Sequence, residues 1–271
     1  MPDRPVRVLI TGGSRGLGRA IAEHLAAEGV SVGLVARDAE ALREATDTIL
    51  DAGGTVFAAS ADVRDEAALE SAVSRLADRL GGLDALVCAA GQLRGIGPMA
   101  VREPGDWWDD VEIALKGAHQ AIRSSLPRLR ESGRASISVL VGPGHEGPLP
   151  FASGYGCAQA ALVRLVESLG QELRSEGVPV YAINPGLVPT GVVRGLIDTP
   201  EGRRWLPRFN EAFAEGKEVD STFAAGMVAW LIDRRPVELN GRIVTALLNP
   251  AVLETRLNAI AEGDRHVLRL R

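Results

Sequence analysis

Eight residues, Thr11-Gly12-Gly13-Ser14-Arg15-Gly16-Leu17-Gly18, join a β-branched apolar run at 6–10 to a helical stretch at 16–28. Glycine at this density lets the chain turn sharply and carries backbone N–H groups to the start of a helix. Unpaired donors and the helix dipole favour an anion there. The spacing is Gly-x3-Gly-x-Gly and not the Gly-x-Gly-x-x-Gly of long-chain dinucleotide folds. A strand that feeds such a loop and then a helix opens a β-α-β unit, which limits what the remaining chain can build.

The rest of the chain keeps that order. Further strand-like runs lie at 31–36, 55–60, 85–88, 135–141, 178–183 and 243–247. Helical stretches lie at 38–52, 66–80, 106–130 and 154–175, several closed by glycine. The strands are nearly continuous apolar runs, as expected when both faces are buried by helices. The reading is one α/β domain, residues 1–271, with a Rossmann-type doubly wound parallel sheet. Hydrophobic residues are 46% and charged ones 24%, as in a globular protein. A net charge of −5 gives no electrostatic case for nucleic acid or an anionic membrane. The start shows no apolar leader, and no long apolar run follows. Cys88 and Cys157 are read as small buried residues, with no disulfide framework and no metal site, consistent with a cytoplasmic location.

At the end of the second strand stands Arg37, where a nucleotide fold reads the adenosine ribose. An acid there would take the 2′-hydroxyl of NAD(H), whereas Arg suits a 2′-phosphate. Arg15 can reach the same group. The pair favours NADP(H) over NAD(H), although either Arg could be solvated. The adjacent Asp38 caps the next helix or opposes this preference.

Together the motifs resemble the short-chain dehydrogenase/reductase family, over residues 6 to about 250. Thr11–Gly18 matches its glycine motif, with Gly12, Ser14, Arg15, Gly16, Leu17 and Gly18 against the cofactor. Asp62-Val63 matches a pair that contacts adenine, and Cys88-Ala89-Ala90-Gly91 matches the motif after the fourth strand. Pro185-Gly186-Leu187-Val188-Pro189-Thr190 matches the segment that contacts nicotinamide. The resemblance further implies a small substrate lid at about 191–218, holding Arg194, Arg203, Arg204 and Trp205. It also implies homodimers or homotetramers built on 106–130 and 154–175. Residues 264–270 are similar to the tail of some members.

The family works with Asn, Ser, Tyr and Lys. Only Tyr155 is kept here: Ala114, Gly142 and Gln159 stand at the other three positions. Gln159 lies one helical turn from Tyr155 and can bond a ribose hydroxyl, but it carries no charge. Without that charge Tyr155 stays protonated at neutral pH: a donor and slow acid, but a poor base. His145, in the loop at 142–150, is either a solvated residue or a replacement acid or base near nicotinamide. Ser138 lies in a strand, and Ser153 is read as a helix cap. Trp107 and Trp108 fit a core or subunit interface better than a substrate platform, and Lys116 a surface or interface position better than a stand-in for the lysine. Three functions remain open. They are an NADP(H)-dependent oxidoreductase acting on a small carbonyl or alcohol by an altered mechanism, a non-redox enzyme (cyclase, isomerase or dehydratase), and a silent cofactor-binding member. Restoring serine at 142 and lysine at 159 together is expected to raise reductase activity if the pocket is otherwise family-like.

Overall fold

The computed structural model describes residues 5–263 and 266–268. Seven strands form one sheet: β1 (Arg7–Thr11), β2 (Ser31–Ala36), β3 (Thr55–Ser60), β4 (Ala85–Cys88), β5 (Ser136–Leu140), β6 (Val180–Asn184) and β7 (Arg242–Thr245). Their spatial order is β3-β2-β1-β4-β5-β6-β7, with every neighbouring pair parallel. Parallel neighbours require a crossover, and the helices supply it: α1 (Gly16–Ala27), α2 (Ala39–Asp51), α3 (Glu66–Leu80), α4 (Pro104–Val111), α5 (Gly117–Arg130) and α6 (Ser153–Glu172). Three short helices follow β6, namely α7 (Gly191–Asp198), α8 (Pro200–Trp205) and α9 (Pro207–Ala214). Then come α10 (Ser221–Arg234), α11 (Pro250–Glu254) and α12 (Leu257–Ala261).

The two faces of the sheet carry separate cores. One packs Val8, Ile10 and Tyr181 against α1 and α10; the other packs Leu9, Leu86 and Ile137 against α3, α5 and α6. Continuous apolar runs are the chemical requirement of this double burial. The exception is β3, whose edge position leaves Thr55 and Ser60 exposed. Asp38 and Asp65 cap α2 and α3, accepting from the amides of Ala41 and Ala68 at 3.1 and 3.0 Å.

Three expectations need correction. The helix expected at 106–130 starts at Pro104 and is interrupted by a π turn, Glu112–Lys116. There Gly117 lies so near Val63 that a Cβ would come within 2.6 Å of its side chain. Ser153 does not cap α6: it is the first helical residue, and its hydroxyl accepts from the Trp107 indole at 3.1 Å. Cys88 is buried, its thiol pushed up to about 12 by burial, but Cys157 is exposed. The tail at 264–270 lies largely outside the described residues. Among the described residues no helix is long and apolar enough to cross a membrane, and no cluster could hold a metal.

Below the sheet, Arg7 and Asp84 form a buried ion pair, with Nε–Oδ2 at 2.8 Å and Nη2–Oδ1 at 2.9 Å. Ser132 donates to the same carboxylate at 2.6 Å. Burial pushes the Asp84 pKa up, but the hydrogen bonds from Arg7 and Ser132 outweigh it and hold the group below the ordinary carboxylate value. The stabilisation is therefore complete at neutral pH and is lost only as acid takes the solution through that lowered pKa. Asp84→Ala, which leaves Arg7 buried and uncompensated, is expected to cost about 3–5 kcal/mol. The melting temperature should fall by roughly 10 °C. Thermal melts should show most of that loss recovered in Arg7→Met/Asp84→Leu; a single variant melting like the wild type would contradict the assignment.

Candidate active site

Strand order reverses at β1, whose neighbours β2 and β4 lead away in opposite directions. In open parallel sheets the crevice at that point, beyond the carboxyl ends of the strands, is where ligands sit. A cleft of about 530 Å³ lies there, lined by the loops after β1, β2, β3, β4, β5 and β6. That volume suits a small molecule or cofactor.

The glycine loop forms its floor. Gly12 has φ +71°, and a Cβ on it would come within 2.8 Å of the Ala90 backbone; one on Gly18 would meet the Gly12 carbonyl carbon at 2.9 Å. Only glycine allows the first turn of α1 to lie this close to the end of β4. No side chain caps α1 and no acid lies in its first turn, so its amide groups remain available to an anion. A pyrophosphate therefore fits the residues present. Thr190, which precedes α7, approaches Gly16 from the opposite side: a Cβ there would lie 3.4 Å from the Thr190 Cβ.

At one end of the cleft, Arg15 pairs with Asp38 at 3.3 Å and Arg37 with Asp62 at 3.5 Å. Asp62 also accepts from Arg64, at 2.8 Å from Nη2 and 2.9 Å from the backbone amide. The guanidinium hydrogen bonds hold its pKa at about 2 against the opposing effect of burial. Arg64 continues to Asp109 on α4 at 2.7 Å, tying the β3 loop to that helix. Its position two residues after Asp62 was the available signal for this clamp.

At the other end, three side chains converge on the Gly142 backbone. The Gln159 Oε1 accepts from the Gly142 amide at 2.8 Å. The His145 Nδ1 lies 2.7 Å from the Gly142 carbonyl, which only accepts, so Nδ1 carries the proton. The Tyr155 hydroxyl occupies the space a side chain at 142 would need: a Cβ there would fall inside van der Waals contact with Oη and 3.0 Å from Cζ. Tyr155 is buried, and burial, then the negative charge of Asp110, push its pKa upward. The phenol is held protonated.

Of the residues read from the sequence as catalytic or cofactor-binding, all but one line this cleft. Gly12, Ser14, Arg15, Gly16, Leu17, Gly18, Arg37, Asp62, Val63, Ala90, Gly91, Tyr155, Gln159, Pro185, Gly186, Val188 and Thr190 all do; His145 does not. It is neither solvated nor directed at the cleft. Gly144 adopts φ +100°, the chain folds back, and the 5% exposed ring turns onto the Gly142 carbonyl. Ala114 lies in the π turn and lines the cleft, and Lys116 is exposed. Trp107 stacks edge-to-face with Trp108, which is exposed. Sequence reasoning missed Gln92 and Arg94, which also line the cleft, and the buried Asp110 behind them.

Known proteins share this fold. Residues 6–201 match the family described as short chain dehydrogenase. Short chain dehydrogenase mpl6 of Monascus purpureus is 32% identical over 272 residues, covering 97% of this chain and 88% of that protein. Levodione reductase superposes with a TM-score of 0.81 at 28% identity, over 89% of this chain and 96% of its own. A single-substitution variant of actinorhodin polyketide ketoreductase with NADPH gives 0.80 at 27% identity, over 89% and 95%.

The Gly142 geometry does not meet the condition set for serine at 142 and lysine at 159, an otherwise unaltered pocket. Serine at 142 displaces the Tyr155 ring, and lysine at 159 removes the acceptor of the Gly142 amide. Gly142→Ser is expected to cost about 1–3 kcal/mol through overpacking, lowering the melting temperature by roughly 2–10 °C. A crystal structure of the variant should show the Tyr155 ring moved. An unshifted ring and an unchanged melt would contradict this packing.

Proposed function

The chain belongs to the short chain dehydrogenase family of oxidoreductases, and from that premise we propose that it reduces a small carbonyl compound with NADPH, using Tyr155 as the proton donor. The observation that carries the reading is the buried, protonated Tyr155 in the same cleft as the glycine loop. When bound, the cofactor supplies the hydride. The amide groups at the start of α1 would bind its pyrophosphate, and Thr190, Pro185, Gly186 and Val188 line the cleft where the rest of the cofactor would lie. Arg15 and Arg37 would hold the 2′-phosphate, whose greater charge and paired acceptors would compete with their aspartate partners.

On this reading Tyr155 is the one of the family's four groups retained, and its buried setting supports a donor role. Reduction needs the neutral phenol, which gives its proton to the carbonyl oxygen as the oxygen gains charge. Oxidation needs the phenolate, and among the described residues no cation stands beside Tyr155 to hold one: Gln159 occupies the place of the family's lysine, with its carbonyl turned to Gly142. Gly142 supplies no second hydroxyl to the substrate. The reaction is therefore slow for the family and best suited to reduction. The absence of that cation also supports a second reading, proton transfer without redox, in which Tyr155 acts on a bound substrate and the cofactor stays unchanged.

A screen of carbonyl compounds with NADPH, monitoring both cofactor oxidation and product, separates the two. Substrate-dependent NADPH consumption is expected, with Tyr155→Phe lowering kcat by about 10²–10⁴ while NADPH affinity is retained. Because the tyrosine pKa is raised, the reductive kcat should not decline between pH 7 and about pH 9. Product formed with no cofactor oxidised, or turnover indifferent to Tyr155→Phe, would overturn the reductase reading.

A further inference from the structure

Five charged side chains line the cleft: Arg15, Arg37, Asp38, Asp62 and Arg94. Four of them neutralise one another as Arg15–Asp38 and Arg37–Asp62. The fifth, Arg94, has an exposed guanidinium with no ion pair or hydrogen bond among the described residues. Its backbone, by contrast, is fixed. The fully buried carboxylate of Asp110 accepts from the Arg94 amide at 2.9 and 3.2 Å and from the Gly95 amide at 2.9 Å. A side chain free at its tip but anchored at its root is what anion capture needs, because little backbone entropy is lost on binding.

Two neighbours define the surroundings. Gln92 lines the same cleft, and its side-chain nitrogen is buried with no acceptor among the described residues. A buried amide donor left without a partner is unfavourable, and a turn of the side chain toward an acceptor bound in the cleft relieves it. Leu93, between the two, belongs to an apolar cluster with Tyr155, Leu149, Leu206 and Phe209, joined by Val192 and Val193 of α7. The segment thus places a cation and a spare donor beside an apolar wall that continues to the phenol.

We infer that Arg94, with Gln92, forms an anion subsite on the substrate side of the cleft, so that the substrate is an oxo acid: a carbonyl at Tyr155, an apolar body against Leu93, and a carboxylate on Arg94. The assignment of the carbonyl rests on the reductase reading above; the subsite itself does not. The planar guanidinium matches a carboxylate in paired hydrogen bonds, and Asp110 acts as a positioning residue that holds the segment.

The test is a binding titration by calorimetry, which does not depend on turnover. The probes are aryl oxo acids of increasing spacer length, 2-oxo-2-phenylacetate, 4-oxo-4-phenylbutanoate and 5-oxo-5-phenylpentanoate, each paired with its methyl ester. The wild-type protein is titrated with NADP⁺ present and absent. At least one acid is expected to bind about tenfold to a hundredfold more tightly than its ester. Arg94→Gln should bring that ratio close to one, and Arg94→Lys should restore part of it. Acids and esters binding alike in the wild type, or a preference that survives Arg94→Gln, would overturn the subsite. If the acid preference depends on Arg94 yet no probe is reduced by NADPH, the subsite stands and the reductase reading falls. If esters are reduced with no acid preference, the reverse holds.

Discussion

Because every strand runs in the same direction, each loop able to meet a ligand leaves the sheet from one edge, and the cleft can form only where strand order turns back at β1. The rest of the molecule serves that edge. Double burial of the strands requires their apolar runs, the crossovers require α1 to α6, and the close approach of α1 to β4 requires glycine at 12 and 18. Gly117, at the start of α5, leaves no room for a side chain beside Val63, and Ala114 in the π turn before it lines the cleft wall.

At the far end of that edge the Gly142 backbone is the point of convergence. Its amide and carbonyl are both engaged by side chains, and its missing side chain is the space that the Tyr155 hydroxyl fills. The residues at 142, 155 and 159 are therefore coupled. Glycine at 142 admits the phenol, and glutamine at 159 supplies the acceptor that fixes the glycine. Burial then keeps the phenol protonated. This arrangement favours a hydrogen-bond donor and acid over a base, and it explains why His145, drawn into the same clamp, does not reach the cleft.

Much of this was legible in the sequence, and the boundary is physical. Strand and helix order, the glycine loop, the arginines at 15 and 37 and the Tyr155–Gln159 face are local patterns fixed by a period or by a motif. What escaped depends on partners distant in the chain or on single dihedral angles. Asp110 finds the Arg94 amide only through the fold, as Trp107 finds Ser153. His145 was misplaced because the φ of Gly144 reverses the loop, and a Gly-Pro-Gly-His run does not announce which way its glycine turns. The hydrogen bond from Gly142 to Gln159 joins a loop to a helix across 17 residues, and no spacing rule signals it. Arg64 sat beside a recognised motif, but its role became visible only when Asp109 came into reach.

The cofactor end of the cleft is the premise for all the chemistry at the other end, and it can be measured without knowing a substrate. Titration of the purified protein with NADPH and with NADH, followed by the fluorescence of the reduced nicotinamide, reads it directly. NADPH should bind at least about tenfold more tightly than NADH, the 2′-phosphate gaining charge-assisted hydrogen bonds from Arg15 and Arg37. Equal affinity would remove the NADP(H) assignment, and no binding of either would remove the reductase reading with it.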